Sequence, residues 1–190
     1  MACIKDIAAG LARDCSVRPS QGVTRALYGN VSDIDTVTYS ADSGVVTGIT
    51  MKTGKQMFEF ESTDSGNSVS HTLAVDDFGE AYTHLSRHTI LDSTSTIADI
   101  KTTFKGARVF TVVERVFKGS DESGKYMVAG IKNGLKLSVD TLDTNANNGT
   151  NLIEFASQAG EEEACGINTF WNTDVATTDT AFDTLLIPAP

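Results

Sequence analysis

One segment of the sequence, Arg108–Phe117, constrains the fold more than any other. Its first half has apolar or β-branched residues at consecutive positions rather than at alternate positions. Successive side chains of a strand point to opposite faces of a sheet, so this strand is apolar on both faces. A strand of this kind is typical of a central position in a sheet, where both faces are covered.

The segments around it have the period of two that strands show when one face is buried. Lys52–Lys55 has the composition of a short hairpin connection between two of these segments. Asn133 and Gly134 form a turn dipeptide between two others. The predicted strands are Ile34–Tyr39, Val45–Met51, Gln56–Glu61, Val69–Val75, Tyr82–Leu91, Arg108–Phe117, Tyr126–Ile131, Lys136–Leu142, Asn151–Ala156 and Gly166–Trp171.

The strand Gln56–Glu61 alternates most cleanly. Phe58 and Phe60 fall on one face, and Met57, Glu59 and Glu61 fall on the other. We therefore expect one face of this strand to be buried and the other to be largely in contact with water.

One helix is predicted near residues 95–105. Ser93–Thr96 supplies N-cap candidates, and Ile97, Ile100 and Phe104 follow at helical spacing before Gly106. The pattern predicts a single helix that flanks the sheets.

The two ends of the chain differ in character from this β region. Residues 1–33 are predicted to form an N-terminal arm, and residues 172–190 a Thr- and Asp-rich C-terminal arm with an apolar end. Residues 34–171 are predicted to form the β-sandwich domain. The fold class is therefore mainly β, with an antiparallel β-sandwich or barrel-forming sheet, one flanking α-helix and extended terminal arms. In the N-terminal arm Ile4, Ile7, Ala8 and Leu11 have helical spacing.

Charge and composition exclude several classes of function. The net charge is −10 and Lys and Arg are not clustered, which argues against a protein that grips DNA or RNA. No stretch approaches the roughly 20 apolar residues of a membrane span, and the first residues lack the pattern of a signal peptide. The three cysteines Cys3, Cys15 and Cys165 are widely spaced, so we expect reduced thiols and synthesis in the cytoplasm.

Candidate catalytic and metal-binding residues are scattered. His84 and His88 have the HxxxH spacing of a metal site on a helix, but their segment favours a strand, where such side chains lie far apart. Cys165 lies between small residues and lacks a nucleophile signature. We therefore predict that the chain is not an enzyme and has no catalytic residues, cofactor or metal site.

The order of these elements resembles that of a known family. The opening Met1–Ala8, the hairpin that ends in Gly54–Phe60, the single helix, the long hairpin Val109–Phe117/Tyr126–Ile131 and the segment Gly130–Leu137 carry the resemblance. Together they are similar to tail tube proteins of tailed bacteriophages, of the type found in phages of Bacteroidota.

The resemblance implies a structural virion protein that is made in the host cytoplasm. Copies of the chain would form hexameric rings, and stacked rings would form a hollow tube that also contacts other tail proteins. DNA would pass as cargo without adhering, because an acidic wall repels phosphates.

Two sets of residues are candidates for roles in such a tube. The first is a polar loop expected to contact the next ring: Thr63, Asp64, Ser65, Gly66, Asn67 and Ser68. The second set, Glu59 and Glu61, is expected to face the lumen, with the outer surface of the tube as the alternative.

Other classes of function stay open at this point. The chain could be another virion component, such as a tail terminator, a neck protein or a capsid decoration protein. A β-sandwich binding module is a second alternative, although one Trp and four Tyr supply few aromatic side chains for recognition. An enzyme is the third and would need a pocket of convergent polar groups.

Overall fold

The structure is a computed structural model that describes residues 20–41, 44–63, 66–76, 79–145 and 149–190. Within these ranges the chain forms strands in two sheets and two α-helices. The elements are β1 (Val23–Asn30), β2 (Ile34–Tyr39), β3 (Val45–Met51), β4 (Phe58–Phe60), β5 (Asn67–Asp76), β6 (Gly79–Ile90), α1 (Ser95–Thr102), β7 (Val109–Arg115), β8 (Tyr126–Ala129), β9 (Lys136–Leu142), β10 (Asn151–Ala156), β11 (Asn168–Phe170) and α2 (Val175–Thr184).

The seven-stranded sheet, sheet A, has the order β2-β3-β11-β8-β7-β1-β4, and the four-stranded sheet B has the order β5-β6-β10-β9. The expected central strand is confirmed, since β7 lies between β8 and β1 and pairs antiparallel with both. Its residues Val109–Val113 are all buried. Phe110 and Val112 contribute to one core cluster, whereas Val109 and Val113 contribute to the other.

Sheet A is the middle of three layers. One of its faces packs against α2, in a cluster that contains Phe182 and Leu185. The other face packs against sheet B, in a cluster that contains Ile153 and Phe155 of β10. The molecule is therefore mainly β, a β-sandwich with a helix against its outer face, which confirms the predicted fold class.

Helix α1 lies within the segment predicted to be helical. The Thr94 side chain accepts a hydrogen bond from the backbone N–H of Ile97 at 3.4 Å, as expected of an N-cap residue. No residue of α1 is buried. Phe104, two residues beyond the helix, contacts the core between the sheets.

The predicted C-terminal arm is corrected by the structure, because residues 172–190 contain α2 and pack on sheet A. Phe182 is fully buried, and its ring stacks on Tyr126 with centroids 4.4 Å apart. Further on, the Ala189 N–H donates to the Lys55 carbonyl at 3.0 Å. The segment is therefore part of the folded body.

The predicted N-terminal arm is also too long. Residues 1–19 lie outside the described residues, but Val23–Asn30 forms β1 in sheet A, between β7 and β4. Ala26, Leu27 and Tyr28 are buried at consecutive positions because both faces of sheet A are covered. The consecutive burial gives no clean period of two, which is why this strand is hard to recognise in the sequence.

The face of Gln56–Glu61 that was expected to be in water is instead covered by α2. Met57 is fully buried in the core cluster on that side. Glu59 accepts a hydrogen bond from Arg25 Nε at 2.8 Å, and Arg25 also pairs with Asp183 of α2 at 2.9 Å. Phe58, on the face that was expected to be buried, is 56% exposed.

The expectation of reduced thiols is wrong for Cys165, which is disulfide-bonded. Cys3 and Cys15 lie outside the described residues. The wide spacing of cysteines in the sequence gives no indication of a bond that depends on tertiary contact.

Candidate functional site

The hairpin of β5 and β6 is longer than the sandwich that supports it. In β5 the side chains of Asn67, Val69, His71, Leu73 and Val75 share the face that looks toward sheet A, because they pair across from residues of β6 on that face. Asn67 is buried and Val69 packs against the core between the sheets. Farther along the same face, Leu73 is 48% exposed and Val75 is 71% exposed. The apolar face of the hairpin therefore continues beyond the body that covers it.

The same hairpin contains an open strand edge. Within the described residues β5 pairs only with β6, and the ten residues of β5 leave a long row of backbone groups at the edge of sheet B. Such an edge is a template for pairing with another strand. We call Leu73, Val75 and the free edge of β5 the hairpin surface.

The predicted contact loop falls at the start of this hairpin. Asp64 and Ser65 lie outside the described residues, and Asn67 and Ser68 belong to β5 rather than to a loop. Asn67 is buried opposite His88, so its side chain is directed into the sandwich and away from the surface. Thr63 and Gly66 form the turn that leads into the strand, with the Gly66 N–H donating to the Thr63 carbonyl at 2.8 Å.

A buried polar cluster supports the base of the hairpin. His84 Nδ1 accepts from the Gly130 N–H at 3.1 Å, and Nε2 lies 3.0 Å from the Cys165 carbonyl oxygen. Burial lowers the pKa of His84, although the charge of Glu163 works in the opposite direction. Glu163 is itself buried and accepts from the backbone N–H groups of Lys132 and Asn133. These contacts are internal, so the cluster holds the hairpin in place rather than presenting groups to a ligand.

The two predicted lumen carboxylates differ in their surroundings. Glu59 is held by Arg25, and its hydrogen bonds contribute most to the raised pKa of that guanidinium. Glu61 is exposed and stands beyond the end of β4. Glu61 is therefore the more accessible of the two carboxylates.

A cavity of about 870 Å³ lies between β4 and α1. Phe60 forms much of its wall, with its ring stacked on Phe104 at 5.5 Å and tilted against Tyr28 at 4.4 Å. Phe58, Leu91 and Ile100 line the opening and are each about half exposed. We call this space the α1 cavity.

Two buried polar side chains of sheet B, one of which lines the α1 cavity, have atoms without hydrogen-bond partners among the described residues. His88, which lines the cavity, has no partner for Nδ1 within the described part of the chain, and neither does Asn67 for Oδ1 or Nδ2. Both residues are almost completely buried. Burial lowers the pKa of His88 to about 4, although a hydrogen bond with the Glu61 backbone acts in the opposite direction, so the ring is neutral at neutral pH.

Sequence reasoning did not find either surface. The sequence predicts that Leu73 and Val75 lie in a strand, and their alternation indicates a long one. The sequence does not show that the sheet covering this strand is shorter. The cavity is lined by residues within Tyr28–Asn30, Phe58–Ser62, His88–Asp92 and Ile97–Val109, which only the fold brings together. His84 and His88 both lie on strand β6, as the segment favoured.

Comparisons with known proteins add no relative. No family model matches the chain, and neither a curated protein nor a solved structure shows significant similarity to it. Among the described residues, no group of three or more His, Cys, Asp or Glu side chains is arranged to hold a metal ion. No helix in those ranges has the length and apolar character needed to cross a membrane.

Proposed function

We propose that the chain is a structural protein that assembles with copies of itself, and that the assembly is the tail tube of a bacteriophage. The observation that carries the proposal is the hairpin surface, with Leu73 and Val75 exposed beside an open strand edge. The resemblance of the order of elements to that of tail tube proteins is the reason for proposing a tube rather than another assembly. Neither a cofactor nor a catalytic residue takes part in this proposal.

The exposed hairpin face favours burial against another copy. Covering a Leu or Val side chain completely contributes roughly 1.5–3 kcal/mol, and Leu73 and Val75 still expose much of their surface. Pairing the edge of β5 would satisfy backbone groups that otherwise remain open to unrelated chains. A ring does both at once, because each copy offers one hairpin and receives another.

The charge of the chain suits a channel through which DNA passes. A net charge of −10 disfavours adhesion of phosphates, whether the wall is formed by sheet B or by another surface. Of the two predicted lumen residues, Glu61 is the better candidate because Glu59 is neutralised by Arg25. Replacing Glu61 with Lys is expected to slow DNA release if it lines the lumen.

Negative-stain electron microscopy and sedimentation of the purified full chain test the proposal. The wild type is expected to form stacked hollow rings or tubes as its concentration rises. The double variant Leu73→Asp/Val75→Asp is expected to remain a folded single particle, because two carboxylates would have to be buried in the contact.

A matched control uses the opposite face of the same strand. Ser70→Asp/Thr72→Asp adds the same charge at exposed positions of β5 that face away from sheet A, and it is expected to assemble like the wild type. Single particles of the wild type at every concentration would contradict self-assembly. Normal tubes from Leu73→Asp/Val75→Asp would contradict the role of the hairpin surface.

A further inference from the structure

We propose that His71 and His84 form a proton-sensitive latch, which holds the hairpin of β5 and β6 against sheet A and releases it when the two rings are protonated. The other side of the latch is Gly130 together with residues 163–167. The inference goes beyond the proposed function, because it concerns how the hairpin is attached within one copy of the chain.

The two histidines lie side by side on the hairpin. His71 of β5 pairs across from His84 of β6, so both rings are on the face that looks toward sheet A. Their ring centroids are 6.2 Å apart. The backbone at Gly166 lies against the His71 ring, since a Cβ at this glycine would be 3.2 Å from Cε1. The pair therefore occupies the point where the hairpin meets the rest of the fold.

Both rings use Nδ1 to accept a hydrogen bond from a backbone N–H outside the hairpin. The Gly130 N–H donates to His84 at 3.1 Å, and the Ile167 N–H donates to His71 at 3.1 Å. Gly130 follows β8 and Ile167 precedes β11, so these bonds tie the hairpin to sheet A. Nε2 of His84 lies 3.0 Å from the Cys165 carbonyl oxygen, which can only accept, so the proton of the neutral ring is on Nε2.

Protonation reverses the role of Nδ1 in each ring. An imidazolium carries a proton on both nitrogens and has no acceptor, so neither Gly130 nor Ile167 could donate to it. Two N–H groups would then face each other at each contact. The two positive rings, with centroids 6.2 Å apart, would also repel each other. The same proton uptake therefore removes both bonds and adds a repulsion.

The surroundings of His84 favour the neutral, latched form. Burial lowers the pKa of His84 and the charge of His71 lowers it further, whereas Glu163 and the hydrogen bond with the Cys165 backbone raise it; the net direction is down from the ordinary value of 6.5. A released ring regains its ordinary value. The contribution of His84 to the latch is therefore complete above about pH 6.5 and is lost as the pH falls below that value.

Three other groups face the pair. Glu163 is buried, and its Oε1 already accepts from two backbone N–H groups in the connection between β8 and β9. The Tyr82 ring meets the His71 ring edge-on, with centroids 5.4 Å apart. Cys165 is disulfide-bonded and does not titrate. We therefore assign the proton dependence of the latch to the two imidazole rings.

The latch lies at the root of the hairpin surface. Tyr82 and Glu163 exchange two backbone hydrogen bonds, at 2.7 and 2.9 Å, and Tyr82 pairs across from Leu73. Leu73 and Val75, beyond the two histidines along β5, are the exposed residues of that surface. Release of the latch therefore frees the part of the hairpin that is proposed to contact another copy. Weaker assembly in acid follows from this, and that consequence alone rests on the proposed function.

Hydrogen exchange resolved to single amides tests the latch on the full chain, diluted until it is a single particle. Protection of the Gly130 and Ile167 amides, corrected for the intrinsic rate, is expected to fall by more than about tenfold between about pH 5.5 and pH 4.5, because release binds more than one proton. At each pH these amides are expected to be at least about tenfold less protected than those of β7, which open only on global unfolding. Protection that does not change with pH, or that equals the protection of β7, would overturn the proposal.

Two variants assign the pH dependence to the latch. His71→Asn keeps an acceptor near the position of Nδ1 and does not titrate, so the fall in protection is expected to shrink to about tenfold per pH unit or less, the effect of one proton. His88→Phe is the matched control, because His88 lies on the same strand outside the latch, and it is expected to leave the fall at Gly130 and Ile167 unchanged. An unchanged fall in His71→Asn, or its loss in His88→Phe, would contradict the assignment.

Nitrogen-15 chemical shifts of the imidazole rings test the starting geometry without reference to exchange. At about pH 7.5 His84 is expected to carry its proton on Nε2 and to have a bare Nδ1. Failure of the wild type to assemble at any pH would contradict the proposed function and leave these measurements on single particles valid, so the two proposals fail separately. A His84 ring protonated on Nδ1 at this pH would overturn the latch, because it could not accept from Gly130.

Discussion

The two faces of sheet A are covered by different elements, and titratable side chains are charged on one face and neutral on the other. On the α2 face, burial lowers the pKa of the Lys125 ammonium, but its contacts with Asp179, at 2.7 Å, and with Tyr126 together raise it. On the face toward sheet B, burial lowers the pKa of His88 to about 4 and raises that of Tyr28 to about 12, so both side chains are neutral at pH 7.

The difference follows from the shape of each cover. A single helix leaves its flanks open to water, so Asp179 and Arg25 remain partly solvated and keep their charges. Where the second sheet covers sheet A, water is excluded, and buried groups such as Tyr28 and Ser86 hydrogen-bond to each other in neutral form. The α2 face is therefore expected to depend on packing and the sheet B face on pH.

Truncation of Phe182 should have the largest effect on stability. Phe182→Ala removes a fully buried ring that stacks on Tyr126 and lies 4.9 Å from the Arg25 guanidinium. We expect a loss of about 3–5 kcal/mol in the free energy of unfolding, measured with urea. Ile100→Ala on α1 should cost less than about 1 kcal/mol, because Ile100 is half exposed. A loss below about 1 kcal/mol for Phe182→Ala would mean that α2 is not part of the cooperative core.

The second-largest effect on stability should come from low pH, through groups on the face of sheet A that packs against sheet B. The pKa of His88 is about 4 in the folded chain, compared with an ordinary value of 6.5 in the unfolded chain. Between these two pH values the unfolded chain binds a proton at His88 and the folded chain does not. Its contribution to stability is therefore complete above about pH 6.5 and is lost as the pH falls toward 4. We expect a loss of about 2–3 kcal/mol between about pH 7.5 and pH 4.5, to which His84 adds in the same direction.

Two variants assign this pH dependence to one face. His88→Phe is expected to reduce the change in the free energy of unfolding with pH, because an aromatic ring is kept and the titrating group is removed. Asp179→Asn on the α2 face is expected to leave the slope unchanged. Hydrogen bonds from Lys125 and Tyr126 outweigh burial and lower the pKa of Asp179, so its contribution is lost only below about pH 4. A slope that persists in His88→Phe but disappears in Asp179→Asn would reverse the assignment.

The sequence predicted the elements whose patterns are complete within one segment. Consecutive apolar residues in β7 predict that both faces of its sheet are buried, and in the structure α2 packs on one face and sheet B on the other. The cap and spacing of α1 were visible although the helix buries nothing, because local signals do not depend on packing.

Helix α2 escaped prediction because a polar residue interrupts its apolar face. Val175, Thr178, Phe182 and Leu185 have helical spacing. Thr178 is nevertheless buried, with its hydroxyl donating to the Asp174 carbonyl at 2.6 Å. Such a bond satisfies the hydroxyl within the helix, so a threonine can occupy a core position that a hydropathy pattern assigns to solvent. The α1 cavity was out of reach for another reason, since its walls come from four separate segments.

The helix caps should give the smallest effect and the finest comparison between the two helices. Asp174 accepts from the Thr177 N–H at 2.8 Å at the start of α2, whereas Thr94 accepts at 3.4 Å at the start of α1. Asp174→Ala is expected to lower the Tm by about 2–4 °C, because α2 cannot fray without exposing Phe182. Thr94→Ala is expected to lower it by less than about 1 °C, because α1 can fray locally while the sheets stay folded.

Hydrogen exchange separates the two cases at the level of single helices. The Thr94→Ala variant should show faster exchange confined to residues 95–102, whereas Asp174→Ala should accelerate exchange in α2 together with β8, which carries Tyr126. Equal shifts in Tm for the two variants would place α1 in the cooperative core. In that event the difference between the helices would lie in burial alone.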